Sequence, residues 1–161
     1  MIDNELKDNL IYITNKLHEK KVLSQKVGPD YFEPGMMEYL DQYEGIYNED
    51  KKYLLLRFDS KGTRYSGRTE QIEKVQVGDS VQIIRDHGNQ YNSNNFLIYT
   101  TNGKDIGNMP SELCNAIAPL YDSKLLAFTS AKVSYVEPIS KRSRHAKQAV
   151  LFVELQSQIN L

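Results

Sequence analysis

The first part of the chain carries apolar residues spaced as on one face of an α-helix. Over residues 3–22, four of them recur at intervals of four, three and four, which is the helical period. They are Leu6, Leu10, Ile13 and Leu17. Because such a stripe costs free energy in water, we expect it to be buried. Its partner is either the rest of the chain or another protein, including a second copy of itself.

A break in this pattern follows the predicted helix. The segment Ser24–Gly35 contains Gly28-Pro29 and Pro34-Gly35, pairs that are typical of loops. Apolar residues from Met36 to Tyr43 then suggest a short second helix that ends near Gly45. We therefore interpret residues 1–50 as a helical extension that precedes a separate domain.

From Tyr53 onwards the pattern changes to short apolar or alternating runs, which are typical of β-strands. Thr101-Asn102-Gly103 between two such runs is a strong hairpin signal. Pro110 opens a predicted helix. The strands are predicted at Tyr53–Phe58, Arg64–Thr69, Ser80–Arg85, Phe96–Thr101, after Gly103, Leu125–Val136 and Gln148–Leu155. Leu113, Ile117 and Leu120 form the predicted inner face of the helix.

The fold class that follows is mainly β with helices. Residues 51–161 are predicted to form a small, OB-like, partly open antiparallel barrel, which uses five or six of these strands plus one helix. In Ser80–Arg85, Val81, Ile83 and Arg85 alternate with Gln82 and Ile84, so both faces are predicted to be largely covered, as in a small barrel. The N-terminal helical extension precedes this barrel.

Charge supports the same division of the chain. Residues 1–50 hold 11 acidic residues and 5 lysines, a formal charge of −6, whereas residues 51–161 hold 15 basic and 10 acidic residues, a charge of +5. This asymmetry favours a domain that faces nucleic acid and an acidic appendage. The alternative is that both parts simply have solvated charged faces.

Composition argues against several classes of protein. The single cysteine, Cys114, cannot form an internal disulfide or a thiolate zinc site. The three histidines lie in dissimilar contexts, and no catalytic motif or phosphate-binding glycine loop with a following lysine is evident. No signal peptide or membrane span is evident either. We expect a cytoplasmic, non-enzymatic protein without a cofactor or metal and without a membrane partner.

Two segments are candidates for binding. The polar loop Asp86–Asn95 lies between two predicted strands and would present Tyr91 and Asn92 at a rim, a common layout for a binding site. The segment 141–147 holds four formal positive charges, which suit a phosphate backbone. These charges belong to Lys141, Arg142, Arg144 and Lys147. The alternative for this segment is a solvated hairpin tip.

Four motifs occur in order along residues 53–155. They are Gly62-Thr63-Arg64-Tyr65, the glycine turn and strand Val77–Asp86, the loop Asn89–Asn94, and Asp105-Ile106-Gly107-Asn108-Met109-Pro110 followed by a helix. Each motif alone is weak, but four in this order and spacing are hard to obtain by chance. Together they resemble the HIRAN domain, the N-terminal module of helicase-like transcription factors, which also occurs alone in small bacterial proteins.

The resemblance implies a pocket that holds the 3′ end of single-stranded DNA. Arg64 and Tyr65 would contact the terminal nucleotides, and Tyr65 or Tyr91 would stack on a base. Asn92 stands where the family has an aspartate that accepts a hydrogen bond from the 3′-hydroxyl. Asn108 stands near a position where animal members have a histidine. Arg64, Tyr65, Tyr91 and Asn92 are therefore expected to line one concave surface, with the 141–147 loop near its rim and Arg68 as a further contact.

Structural explanations compete with this interpretation. In these explanations, the tyrosines are only ordinary strand and loop aromatics in a chain that holds 11 of them. The loop asparagines would then serve to cap local backbone, and Arg64 and Arg68 would pair with Glu70 or Glu73 on the surface. The leading hypothesis is a non-catalytic nucleic-acid-binding module. Its alternative is a protein-interaction module that uses the barrel groove or the N-terminal helix stripe.

Overall fold

The computed structural model describes residues 46–48, 53–65, 67–122, 124 and 126–160. The predicted apolar stripe of Leu6, Leu10, Ile13 and Leu17 lies outside the described residues, as do the predicted second helix and most of the 1–50 extension. Their burial and their partner stay predictions.

Seven strands and two helices make up the described chain. In order they are β1 (Ile46–Asn48), β2 (Tyr53–Asp59), α1 (Arg68–Ile72), β3 (Val81–Arg85), β4 (Phe96–Thr100), β5 (Asp105–Asn108), α2 (Ser111–Asp122), β6 (Leu126–Glu137), a 3-10 turn (Ile139–Lys141) and β7 (Val150–Ile159). One sheet has the order β1-β2-β7-β6, and the other has the order β3-β4-β5. The mainly β class with few helices is confirmed, and the β-part consists of two open sheets.

The described residues divide into two compact units. One unit contains Arg57–Ser111 and Ser130–Leu155, and it holds every residue that the sequence analysis assigned to a binding site. The other unit contains most of α2 and the flanking strand ends.

The unit that holds the predicted site has a core of large apolar side chains from both sheets. Phe96 and Ile98 on β4 are fully buried, as is Ile106 on β5. The four-stranded sheet supplies further buried residues to the same unit, namely Phe58, Ala131, Val133, Leu151, Val153 and Leu155. Their burial removes apolar area from water, which is the main favourable term in folding.

The second unit is organised around α2. Leu113, Ile117 and Leu120, the predicted inner face, are at most 2 % exposed. Cys114 is also fully buried, which fits a small apolar role rather than a reactive one. The aromatic rings of Tyr121 and Phe128 stack with their centroids 4.8 Å apart.

One predicted element is wrong. The segment predicted as a strand, Arg64–Thr69, instead contains turn or bend residues at Arg64, Tyr65 and Gly67, and its last two residues, Arg68 and Thr69, begin α1. Gly62 and Gly67 both adopt positive φ angles, 69° and 74°, which bend the chain where a strand would continue. The Tyr65 amide donates to the Gly62 carbonyl at 3.2 Å, and the Arg68 amide donates to the Tyr65 carbonyl at 2.9 Å. These turn bonds replace a strand ladder.

The core of the three-stranded sheet can be tested with a matched pair of substitutions. Ile98 is fully buried on β4, whereas Ile84 on the neighbouring strand β3 is 37 % exposed. We expect Ile98→Ala to lower the free energy of unfolding by about 2–5 kcal/mol, because it leaves a cavity. The same change at Ile84 is expected to cost roughly 1 kcal/mol or less. Urea denaturation measures both, and equal costs would contradict this assignment of the core.

Candidate nucleic-acid interface

The three-stranded sheet has two ends with different chemistry. β4 lies in the middle, and its register places Phe96 opposite Arg85 at one end and Thr100 opposite Val81 at the other. Asn108, the last residue of β5, pairs with Leu97, at the same end as Phe96. The loop Asp86–Asn95 connects β3 to β4 at this end, which we call the aromatic end.

The tip of the Asp86–Asn95 loop is shaped by asparagine side chains. The Asn89 side-chain oxygen accepts from the backbone amides of Tyr91 and Asn92, both at 2.9 Å. The Asn92 side-chain oxygen accepts from the Asn94 amide at 3.0 Å. The asparagines therefore do cap local backbone. The same caps hold the backbone of Tyr91, a residue that is 89 % exposed.

The base of this loop is held by an amide and carboxylate network. The Asp86 carboxylate accepts from the side-chain amides of Asn89 and Asn95, both at 3.1 Å. The Asn95 amide also donates to the Asn108 side-chain oxygen at 3.0 Å. Asn95 is only 6 % exposed, so its amide group depends on these partners. Asn95 was not among the predicted site residues, because its only signal in the sequence is one more asparagine in a loop rich in them.

A second exposed aromatic residue lies next to Asn108. Lys61 and Asn108 exchange backbone hydrogen bonds of 2.8 and 3.0 Å, so the turn that follows Lys61 starts at the aromatic end. In this turn the Arg64 guanidinium lies over the Tyr65 ring, 4.7 Å from its centroid, and donates to the Tyr65 hydroxyl. Tyr65 is 54 % exposed. Arg64 therefore stacks on Tyr65 rather than pairing with Glu70 or Glu73.

Arg68 has a different position from the one expected. Its side chain is 9 % exposed, and its guanidinium binds both carboxylate oxygens of Asp105 at 2.9 and 3.1 Å. A third bond, of 3.1 Å, joins it to the Gly62 carbonyl. Because these bonds occupy the guanidinium inside the protein, Arg68 does not present its charge to a ligand. It holds the Arg64–Tyr65 turn against β5.

Glycines in two of the motifs are explained by close approaches. A Cβ at Gly62 would lie 2.8 Å from the Arg68 guanidinium and 3.3 Å from the Asn108 amide nitrogen. At Gly107, with φ 139°, a Cβ would lie 1.7 Å from the Ser60 hydroxyl oxygen. That hydroxyl donates to the Ile106 carbonyl at 2.9 Å. Both glycines thus let the end of β2 and the following turn pack directly on β5.

The segment Ser140–Ala149, which contains the four predicted cations and which we call the basic loop, is anchored at both of its ends near α1. The amide and hydroxyl of Ser140 both donate to the Glu73 carboxylate, just after α1. At the other end of the loop, the Ala149 carbonyl accepts from the Thr63 hydroxyl at 2.8 Å. Thr63 is the neighbour of Arg64 in sequence. The loop therefore begins near the C-terminal end of α1 and ends beside the Arg64–Tyr65 turn.

The four cations of this loop differ in their environment. Arg142 pairs with Glu137 at 3.3 Å and donates to the Gln148 carbonyl at 2.9 Å, so it closes the loop. Lys141, Arg144 and Lys147 are exposed, and in the described part of the chain they form no ion pair or hydrogen bond through their side chains. Three of the four predicted cations therefore face solvent.

A hydrogen bond perturbs one tyrosine outside the predicted site. The Tyr135 hydroxyl, on β6, donates to the Glu137 carboxylate at 2.7 Å. This bond and the negative charge of Glu137 raise the pKa of Tyr135. Tyr135 is 41 % exposed, and its ring meets the Phe152 ring edge-on with the centroids 6.1 Å apart.

The structure brings the predicted residues together only in part. The Arg64–Tyr65 turn, Asn108 and the Asp86–Asn95 loop share the aromatic end, and the basic loop ends beside them. A cleft of about 500 Å³ lies elsewhere, and none of the predicted residues lines it. Among the residues described, no group of three or more His, Cys, Asp and Glu side chains is arranged to hold a metal ion. No helix in the same described ranges is long and apolar enough to span a membrane.

Comparison with known families tests the resemblance directly. The family model of the HIRAN domain matches residues 53–152, which is more than half of the chain. The chain belongs to the HIRAN domain family.

Solved structures include similar chains. The crystal structure of the human HLTF HIRAN domain is 24 % identical, with a TM-score of 0.46 over 65 % of this chain and 76 % of that one. A Lactobacillus plantarum protein is 20 % identical, with a TM-score of 0.47 over 62 % of this chain and 90 % of that one. The NMR structure of the HLTF HIRAN domain in its DNA-bound conformation is 22 % identical, with a TM-score of 0.44 over 66 % and 76 %. No curated protein matches the chain with significant similarity.

The position of Arg68 in this HIRAN domain gives a stability prediction. Arg68→Ala leaves the partly buried Asp105 carboxylate without its partner. We expect a loss of about 3 kcal/mol in the free energy of unfolding, at the low end for a broken buried pair because Asp105 is 30 % exposed. Lys61→Ala breaks the more exposed 2.7 Å pair with Asp59 and is the matched control. Its expected cost is below about 1 kcal/mol. If chemical denaturation gives the same cost for both, Arg68 does not have the positioning role described.

Proposed function

We propose that this HIRAN domain is a non-catalytic nucleic-acid-binding module that holds single-stranded DNA at a 3′ end. The observation that carries the proposal is the pair of exposed aromatic turns at one end of the three-stranded sheet. Tyr91 is 89 % exposed and Tyr65 is 54 % exposed, although the backbone of each is fixed by hydrogen bonds. The HLTF HIRAN domain has been solved in a DNA-bound conformation, which supports the same ligand class.

Rigid exposed aromatics suit a base-stacking platform. Every base has a π-face, so stacking tolerates any sequence and contributes roughly 1–3 kcal/mol per base. If an exposed tyrosine lay on a mobile loop, the cost of ordering the loop would offset part of the stacking free energy. Here the Asn89 caps and the Asp86–Asn95–Asn108 network fix the loop before a ligand arrives. Arg64, held over the Tyr65 ring, adds a positive charge beside the stacking surface.

The basic loop supplies the electrostatic part of the proposed interface. It ends beside Thr63, the neighbour of Arg64, and its exposed cations are Lys141, Arg144 and Lys147. Contacts between lysine or arginine and phosphate release counterions, so we expect the affinity to fall steeply with salt concentration. Salt dependence together with stacking distinguishes a nucleic-acid ligand from a protein partner.

Specificity for a 3′ end is assigned to Asn92. Its side-chain oxygen lies in the Tyr91 loop and accepts from the Asn94 amide. A side-chain carbonyl oxygen is an acceptor of the type that a terminal hydroxyl requires. A neutral amide is a weaker acceptor than the aspartate of the family, so we expect a modest preference for a free 3′-hydroxyl.

Replacement of Tyr91 tests the stacking platform. We expect Tyr91→Ala to weaken binding of a single-stranded oligonucleotide by about 1–3 kcal/mol, because it removes one stacked base. Fluorescence anisotropy with a 5′-labelled strand measures the affinity. Tyr135→Ala, which removes an exposed tyrosine on the other sheet, is the control and should leave the affinity unchanged. Equal effects, or no binding by the wild-type protein even at low salt, would favour the protein-interaction alternative.

The role of Asn92 predicts a gain of selectivity. Asn92→Asp keeps the acceptor for the Asn94 amide and adds a charge that strengthens a bond from a 3′-hydroxyl and repels a 3′-phosphate. We expect the preference for the free hydroxyl to rise roughly fivefold, the equivalent of about 1 kcal/mol. Asn94→Asp adds the same charge to the same loop and should not raise this preference. Anisotropy with strands that end in a 3′-hydroxyl or a 3′-phosphate decides between these results.

A further inference from the structure

A cleft of about 500 Å³ opens at the end of the three-stranded sheet opposite the aromatic end. Its walls are the C-terminal end of α1, the turn before β3 and the β4–β5 hairpin. Its lining includes Lys74, Asp79, Ser80, Thr101, Asn102 and Lys104. Most of them carry hydroxyl, amide or ammonium groups, which are hydrogen-bond donors.

Positive charge dominates the cleft wall. Lys74 and Lys104 are both exposed, and neither side chain forms an ion pair with another described residue. The single acidic residue of the lining, Asp79, accepts from the Gln76 backbone amide at 2.9 Å. The nearby Glu73 carboxylate bonds to Ser140. Two free ammonium groups beside hydroxyl donors suit a phosphate group.

The basic loop joins this cleft to the aromatic end. Ser140, at its start, contacts Glu73, the neighbour of Lys74, and Ala149, at its end, contacts Thr63, the neighbour of Arg64. The segment between these two anchors carries the exposed cations Lys141, Arg144 and Lys147, so along the chain these cations link the neighbour of Lys74 with the neighbour of Arg64. A path of this kind fits a polymer of phosphates better than one small anion.

The length of the sheet sets the number of nucleotides on this path. β4 has five residues, and a strand rises about 3.4 Å per residue, so its two ends lie about 14 Å apart. A stacked nucleic-acid strand advances about 3.4 Å per nucleotide. A strand with its 3′ end at Tyr65 and Tyr91 therefore reaches the cleft after about four stacked nucleotides.

We infer that the Lys74–Lys104 cleft is a second subsite, which binds the backbone phosphates of the same single strand on the 5′ side of the bases held at the aromatic end. This inference rests on the proposed function, because it needs a strand whose 3′ end lies at Tyr65 and Tyr91. It assigns to Lys74 and Lys104 a contact with phosphate and not with bases. The affinity then depends on the length of the strand and not on its sequence beyond the first nucleotides.

The test compares a dinucleotide with a 12-nucleotide strand that has the same 3′ sequence, using the full chain and its Lys74→Gln/Lys104→Gln double variant. The dinucleotide is too short to reach the cleft, so its affinity, measured by NMR titration, should be the same for both proteins. The longer strand should bind the variant roughly 10- to 30-fold more weakly at 0.1 M salt, as expected for two lost phosphate contacts. The slope of log affinity against log salt should fall by about 1.4.

Two further variants separate charge from folding. Lys74→Arg/Lys104→Arg keeps both charges and should retain the affinity for the longer strand. Lys124→Gln removes an exposed lysine that belongs to neither the cleft nor the basic loop, so it should leave the affinity for both strands unchanged. In the wild-type protein, the amide resonances of Ser80 and Thr101 should shift with the longer strand and not with the dinucleotide.

The possible failures are distinguishable. Wild-type protein that binds neither strand overturns the proposed function and this inference with it. If the wild-type protein binds both strands and the double Gln variant binds the longer strand with the same affinity, only the cleft subsite is overturned. If the double Gln variant loses the same affinity for the dinucleotide as for the longer strand, the cleft subsite is also overturned. The lysines would then act on the aromatic end and not on a separate subsite.

Discussion

The paired bonds between Arg68 and Asp105 are the interaction on which the candidate site depends. Arg68 opens α1, Asp105 opens β5, and the third guanidinium bond reaches the Gly62 carbonyl. One side chain therefore fixes the helix, the strand and the turn that carries Arg64 and Tyr65. A lysine would not provide the same planar fork of donors. The absence of a side chain at Gly62 is equally necessary, because the guanidinium occupies the space that a Cβ would take.

Asn108 connects this arrangement to the second aromatic turn. Its backbone pairs with Lys61 and its side-chain oxygen accepts from Asn95, which in turn binds Asp86. The two exposed tyrosines are thus presented by parts of one continuous hydrogen-bonded network. In such a network the polar groups are mutually dependent, so the geometry of the surface is set before a ligand binds. This is the physical basis of a platform that binds without a large ordering cost.

Positive charge is distributed unevenly around this platform. The basic loop is held at Glu73 by Ser140 and at Thr63 by Ala149, and the segment between these contacts carries three exposed cations. Two carboxylates in this region form ion pairs, Asp105 with Arg68 and Glu137 with Arg142. Lys141, Arg144 and Lys147 remain exposed without an ion pair to another described residue, in a chain whose total charge is −1.

The sequence by itself determined the elements whose signals are local. The alternation of apolar residues located most of the strands, Asn102-Gly103 located the β4–β5 hairpin, and the spacing of Leu113, Ile117 and Leu120 identified the buried face of α2. Motif order was enough to identify the HIRAN family, because that information lies in spacing along the chain. The exposed positions of Tyr91 and of three of the four loop cations also followed from their polar surroundings in sequence.

Tertiary structure alone decided the roles of the individual polar residues. Arg68 looked like a surface cation, but its partner is 37 positions away, and no local pattern shows which carboxylate a side chain will meet. The segment 64–69 looked like a strand because the positive φ angles at Gly62 and Gly67, which turn the chain into α1, cannot be inferred from composition. The cleft between α1, the turn before β3 and the β4–β5 hairpin is lined by segments far apart in the sequence, so no local pattern could group Lys74 with Lys104. Local periodicity determines elements, whereas long-range pairing determines which side chains remain available for a ligand.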